Sequence, residues 1–132
     1  VSKRLLTIGV ASALLAAAVQ LGAHHSYGAV YLEDDSIEVT GAIVEFQYKN
    51  PHSWVFVQGR DSTSFGGAKI YAAEWVSTSQ LERDGIEKDT LRPGDDVRIW
   101  GSPSKNPSET KLHLKRIERK DGWNWRGRAQ AR

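Results

Sequence analysis

Between Ile37 and Tyr48 the apolar residues alternate and then change step. Ile37, Val39, Gly41 and Ile43 share one parity, whereas Val44, Phe46 and Tyr48 share the other. Successive side chains of a strand point to opposite faces, so a strand that stays buried through such a switch needs a bulge or a sharp bend. Gly41 permits one. A first strand that bends midway can join both sheets of a small barrel, and the remaining elements have to fit that frame.

Asn50-Pro51 closes the first strand as a turn. Ser53 to Gln58 (SWVFVQ) is rich in β-branched and aromatic residues, Asp61 to Gly67 is a polar loop bearing glycine, and Lys69 to Val76 (KIYAAEWV) is a third strand. The period then changes. Ser79 with Glu82 three residues on forms a capping box, and Gly85 can end a helix of about two turns in the left-handed conformation. Leu91 to Asp96 is a turn, Val97 to Trp100 a fourth strand, Pro103 to Pro107 a loop, and Lys111 to Glu118 a fifth strand with Leu112 and Leu114 inward. Asp121-Gly122 turns the chain before an aromatic end at Trp123 and Trp125. The order β-β-β-α-β-β is that of an OB-fold-like five-stranded Greek-key barrel, all-β but for one short helix. Closure would also remove exposed strand edges. The competing architecture is an open β-sandwich.

The N-terminal stretch reads as a secretory signal over residues 1–23. Lys3 and Arg4 form its positive region, Leu5 to Val19 its uncharged core of 15 residues, and Ala23 the small residue before the cut. A spanning helix needs roughly 20 apolar residues, so cleavage is preferred over a retained anchor. Cutting after Ala18 is the alternative. The chain begins with Val and contains no Met, which reads as an alternative start codon translated literally. Residues 24–36 then form an N-terminal arm, 37–122 the barrel and 123–132 a basic tail. The expected location is the periplasm or the exterior, with no transmembrane segment after cleavage. The chain has no Cys, which rules out a disulfide and attachment of lipid at the cut.

Charge must be read after that cut. The formal net charge of +2 is carried by Lys3 and Arg4, so the remainder is neutral. Its distribution is uneven: residues 24 to 104 hold 7 Lys/Arg against 13 Asp/Glu, and residues 105 to 132 hold 9 against 3. A basic end can contact phosphate or an anionic membrane, although in an exported protein it is more often a solvated strand face with a frayed terminus.

Several short motifs together resemble a known family. They are Ala23-His24-His25-Ser26, Val39-Thr40-Gly41 followed by Ile43-Val44, Asn50-Pro51-His52-Ser53-Trp54, Leu91-Arg92-Pro93-Gly94-Asp95 and Trp100-Gly101-Ser102-Pro103. In order and spacing the chain from His24 to about Gly122 resembles the DUF6152 family, small exported bacterial proteins of unknown function. Tyr27 stands where that family often has Phe, and Val76-Ser77-Thr78-Ser79 replaces its common Gly-Ser-Pro run. The resemblance implies export and a small β domain. It supplies no activity.

Chemistry must come from the residues. A mature chain starting at His24 would offer its free amine and an imidazole as a chelating pair, and a further imidazole, His52 or His25, could complete a three-nitrogen set suited to Cu(II). His52 follows Pro51 at a stiff turn, where a barrel rim can hold it. Ligation requires neutral imidazole and amine, accessible near neutral pH. The metal candidates are therefore His24, His25 and His52, with copper the leading ion. The plainer reading is a solvated terminus and a turn histidine bonded to backbone. His113, between Leu112 and Leu114, reads as a surface residue.

Asp34-Asp35 and Asp95-Asp96 are explained as turn residues. No phosphate loop, nucleophile elbow or Cys nucleophile is present, so the chain reads as non-enzymatic. Trp54, Tyr71 and Trp75 are candidates for a ligand face on strands two and three, where OB barrels bind oligonucleotides or sugars, although strand aromatics more commonly fill a core. The export signal and acidic body argue against nucleic acid. The expected function is an exported binding module for a metal ion. The alternative is a metal-free accessory domain that holds a protein partner; a haem chaperone rests on fold analogy alone.

Overall fold

The computed structural model describes residues 26–63 and 65–128. The chain divides into two units, residues 1–30 and 31–132. In the first, Ser26–Val30 form the short helix α1. The leader expected over residues 1–23, and with it His24 and His25, lies outside the described residues.

The second unit is built on β1, Ile37–Gln47. Its parity switch is a β-bulge: Ile43 pairs with Val57 and Glu45 with Phe56, so Val44 is the extra residue. Val39 and Ile43 enter the core before the bulge, and Phe46 and Tyr48 pack against it afterwards. Val44 itself is exposed. The bulge thus falls at the Ile43-Val44 switch seen in the sequence, and Gly41, which could have permitted it, has another role. This glycine faces Gly59 of β2, Trp54–Asp61, so closely that a Cβ on Gly41 would lie 2.2 Å from the Gln58 carbonyl oxygen.

The remaining elements are β3 (Lys69–Glu74), α2 (Thr78–Arg83), β4 (Asp96–Pro103), β5 (Lys111–Arg119) and β6 (Asn124–Arg126). β1 lies between antiparallel β2 and β4, and β3 pairs in parallel with β5. Strands β1-β2-β3-β5-β4 thus close into the expected small five-stranded barrel, with α2 connecting β3 to β4. Alternate residues of each strand fill it, among them Val39, Val57, Tyr71, Ile99, Leu112 and Ile117.

Two departures from the expected boundaries matter below. Helix α2 is capped by Ser77, whose Oγ accepts from the Gln80 amide at 3.4 Å, and not by Ser79. Glu82 is turned toward the Tyr48 hydroxyl, 3.2 Å away, so the anticipated capping box does not form. Gly85, at φ +75°, ends the helix as expected, with Ile86 N–H on the Leu81 carbonyl and Gly85 N–H on that of Glu82. The aromatic end forms β6 along β5. Trp125 meets the fully buried Trp75 edge to face at 4.9 Å and donates its indole N–H to Asp84.

Candidate functional site

The segment Asn50-Pro51-His52-Ser53-Trp54 crosses from β1 to β2 and is held at both ends. The Asn50 side-chain oxygen accepts from the Thr78 backbone N–H and hydroxyl, at 3.1 and 3.0 Å, tying the turn to the start of α2. Its peptide bond to Pro51 is cis. Ser53 is wholly buried; its N–H donates to the Val76 carbonyl, its carbonyl accepts from Trp75 N–H, and its hydroxyl lies 3.2 Å from both Lys49 N and O. A buried polar residue needs such partners. The His52 ring stands between these two anchors.

His52 Nδ1 lies 2.5 Å from Glu74 Oε1. The other Glu74 oxygen accepts the Tyr31 hydroxyl proton. Glu74 sits near the end of β3, opposite Trp54 of β2 on one side and His113 of β5 on the other, so its backbone is fixed from both flanks. Tyr31 is fixed in turn by a bridge to Ser104, next to a Leu32 N–H bond to the Pro103 carbonyl. The His52 side chain is 30% exposed and that of Glu74 15%, so the ring reaches solvent while its carboxylate partner is largely withdrawn.

A second histidine–carboxylate couple lies alongside. His113 Nδ1 is 2.9 Å from Glu33 Oε1, and Lys115 bonds the other oxygen of Glu33. The rings of Tyr31 and His113 are 5.8 Å apart, tilted by 39°. Lys115 is the extra residue of a β-bulge, since Gly101 pairs with Leu114 and Trp100 with Arg116. Burial pushes the Glu33 carboxyl up, but its bonds to Lys115 and His113 outweigh that and hold it below its usual value. Burial likewise pushes the His113 imidazole down, against the opposing pull of Glu33.

His113 is therefore not the surface residue its sequence neighbourhood suggested. Strand parity does turn it away from the barrel interior between Leu112 and Leu114, but Tyr31 and Glu33 cover it and leave it 8% exposed. Tyr31, Glu33 and Glu74 were not singled out in the sequence. Glu74 carried a signal, as a lone carboxylate in an apolar strand. The irregular arm gave none for the other two.

The three aromatics proposed for a ligand face do not share one. Tyr71 and Trp75 point into the core, 3% and 0% exposed, and the Tyr71 hydroxyl donates to Asp61 at 2.5 Å. Trp54 is on the outer face, half-buried, and stacks on Phe56 with centroids 6.4 Å apart. Ile70, 54% exposed, lies on the same outer face of β3, where Gln58 is its partner on β2.

The basic segment from residue 105 onward is matched in part, by carboxylates of the acidic body and by its own. Lys115 pairs with Glu33, Arg116 with Glu118, Arg119 with Asp95 and Asp121, and Lys120 with Asp96. Exposed pairs of this kind contribute little stability, but they leave less unbalanced charge for an anionic partner than the sequence implied.

Among the described residues no three His, Cys, Asp or Glu side chains converge as a metal-holding group. The His52–Glu74 couple nevertheless has the chemistry of a supported ligand, because metal-bound histidines commonly donate their second ring N–H to a carboxylate. No helix among the described residues is long and apolar enough to cross a membrane. No curated protein and no solved structure matches the chain. A model of a family of unknown function, DUF6152, matches residues 11–113. These residues include the His52 turn, β1 to β4 and β5 as far as His113, and on that match the chain belongs to the DUF6152 family.

Proposed function

We propose that this protein is an exported, non-enzymatic binding module, placed in the periplasm or outside the cell, whose ligand is a copper-type metal ion held through His52 with His24 and His25. The single observation that carries the reading is the bond from His52 to Glu74 on a turn anchored at Asn50 and Ser53. An ionised carboxylate only accepts hydrogen bonds, so a neutral His52 must donate from Nδ1 and keep its acceptor lone pair on Nε2. That is the form an imidazole ligand needs. The leader pattern ending at Ala23 supports export, and cleavage there would add an amine and the His24 ring as nitrogen donors to Cu(II).

The test is the intact mass of the protein exported by its own leader, followed by Cu(II) titration of that sample. A start at His24 and one tight equivalent, lost in His52→Ala, are expected. Binding no tighter than that of a His24-His25 peptide would overturn the metal reading.

A second reading takes the protein as a metal-free accessory domain that holds a protein partner. It is supported by the outer strip of Trp54, Phe56 and Ile70, apolar side chains on the β2–β3 face that OB barrels use for ligands. Trp54→Ala with Ile70→Lys would then abolish partner capture without changing copper binding.

A further inference from the structure

We propose that Glu74, gripped by Tyr31, is a positioning residue that holds His52 in its Nδ1–H tautomer and so selects Nε2 as the ring atom offered to a ligand. The proposal rests on the reading of His52 as that ligand's holder.

Its basis is the way the two carboxylate oxygens are used. Oε1 faces His52 Nδ1 and Oε2 takes the Tyr31 hydroxyl proton. A carboxylate is the one side-chain group that can accept on both sides at once without donating to either. Each of the three members is also placed independently of the others: His52 by the Asn50 and Ser53 anchors, Glu74 by strand pairing on both flanks, and Tyr31 by its bridge to Ser104. A side chain held from one end only can swing to suit its ligand. Here the acceptor is set before any ligand arrives, and the ring must conform to it. The withdrawal of Glu74 from solvent strengthens both bonds relative to an exposed pair. An ordinary surface ion pair would need neither the buried phenol nor the strand pairing on both sides.

The tautomer can be read without any metal. Long-range proton–nitrogen correlation spectra of the full chain, labelled with nitrogen-15 histidine, are recorded metal-free at pH 8, where an ordinary imidazole is neutral. The expected wild-type pattern for His52 has the proton on Nδ1 and none on Nε2. In Glu74→Leu the proton should move to Nε2 or divide between the two nitrogens, and in Tyr31→Phe the Nδ1–H population should fall. Cu(II) binding should weaken by about 10- to 100-fold in Glu74→Leu, as for other loss of support behind a ligand histidine.

A wild-type His52 protonated on Nε2 would overturn the proposal, even if Glu74→Leu failed to fold. So would a folded Glu74→Leu whose His52 tautomer is unchanged, and an unchanged tautomer in Tyr31→Phe would remove Tyr31 from the device. Failure of copper to bind a wild-type protein with the expected tautomer would overturn the ligand reading instead, which separates the two.

Discussion

His113 shows how a residue's surroundings, and not its strand parity, decide its chemistry. Its ring points away from the barrel yet is covered by Tyr31 and Glu33, and burial lowers its affinity for a proton. The native state therefore binds that proton more weakly than the unfolded chain does. Stability rises with pH wherever the unfolded state holds more protons, so the contribution of His113 is lost as pH falls below about 6.5, the ordinary histidine value. Glu33 acts in a separate window. Its lowered value means that its contribution is full above its usual 4.5 and is lost progressively as pH falls from there through the folded value. The urea midpoint of the wild-type protein should thus drop between pH 7 and pH 5. In His113→Gln, which keeps a donor for Glu33 but cannot titrate, the drop should be shallower, because every other titrating group is common to both proteins. Equal slopes in the two would show that His113 is not the source.

At the scale of elements, most strands and the helix were legible because apolar periodicity reports burial directly. β1, β2 and β3 alternate in the sequence as they do in the barrel, and Gly85 ends α2 through its positive φ. The bulge was legible in its place, as the parity change between Ile43 and Val44, whereas Gly41, which offered the backbone freedom for it, serves the close approach of β1 to β2 instead. The candidate at His52 was legible from its turn. Its partner Glu74 is separated by 22 residues and depends on the β2–β3 register, which composition does not specify. β6 was missed because its three residues are too few to display a period, and their role comes from tertiary contact. That contact makes a testable difference. Ending the chain after Gly122 removes the Trp125 packing on Trp75, its bond to Asp84, and the Arg119 guanidinium's contact with the Trp123 ring. A loss on the order of 3 kcal/mol is expected, from two partly buried tryptophans. Urea unfolding followed by circular dichroism measures it, and an unchanged midpoint would return residues 123–132 to the status of a dispensable tail.

The whole molecule depends on how closely β1 and β2 cross. Five strands can close only if β1 bends enough to serve β2 along its length and β4 along its first half. The bend brings Gly41 and Gly59 into register, where a Cβ on either would meet the opposite strand's backbone at 2.2 Å. Side-chain rotation cannot relieve such a clash, because the atoms in conflict belong to the main chain. β1 cannot simply move away from β2, since its other edge is bonded to β4, and β4 through β5 returns to β3. Relief at the crossing must therefore be distributed around a closed ring of hydrogen bonds. Gly41→Ala is expected to cost more than about 3 kcal/mol, at or beyond the upper range for overpacking a core. Gly67→Ala is the matched control, because a Cβ there meets nothing within 4 Å. Thermal unfolding by circular dichroism distinguishes them: Gly41→Ala should melt far below wild type or fail to fold, and Gly67→Ala should melt close to it. Similar melting of the two would mean that the barrel can open at this crossing, and that its closure depends on the β3–β5 seam beside Glu74 and His113.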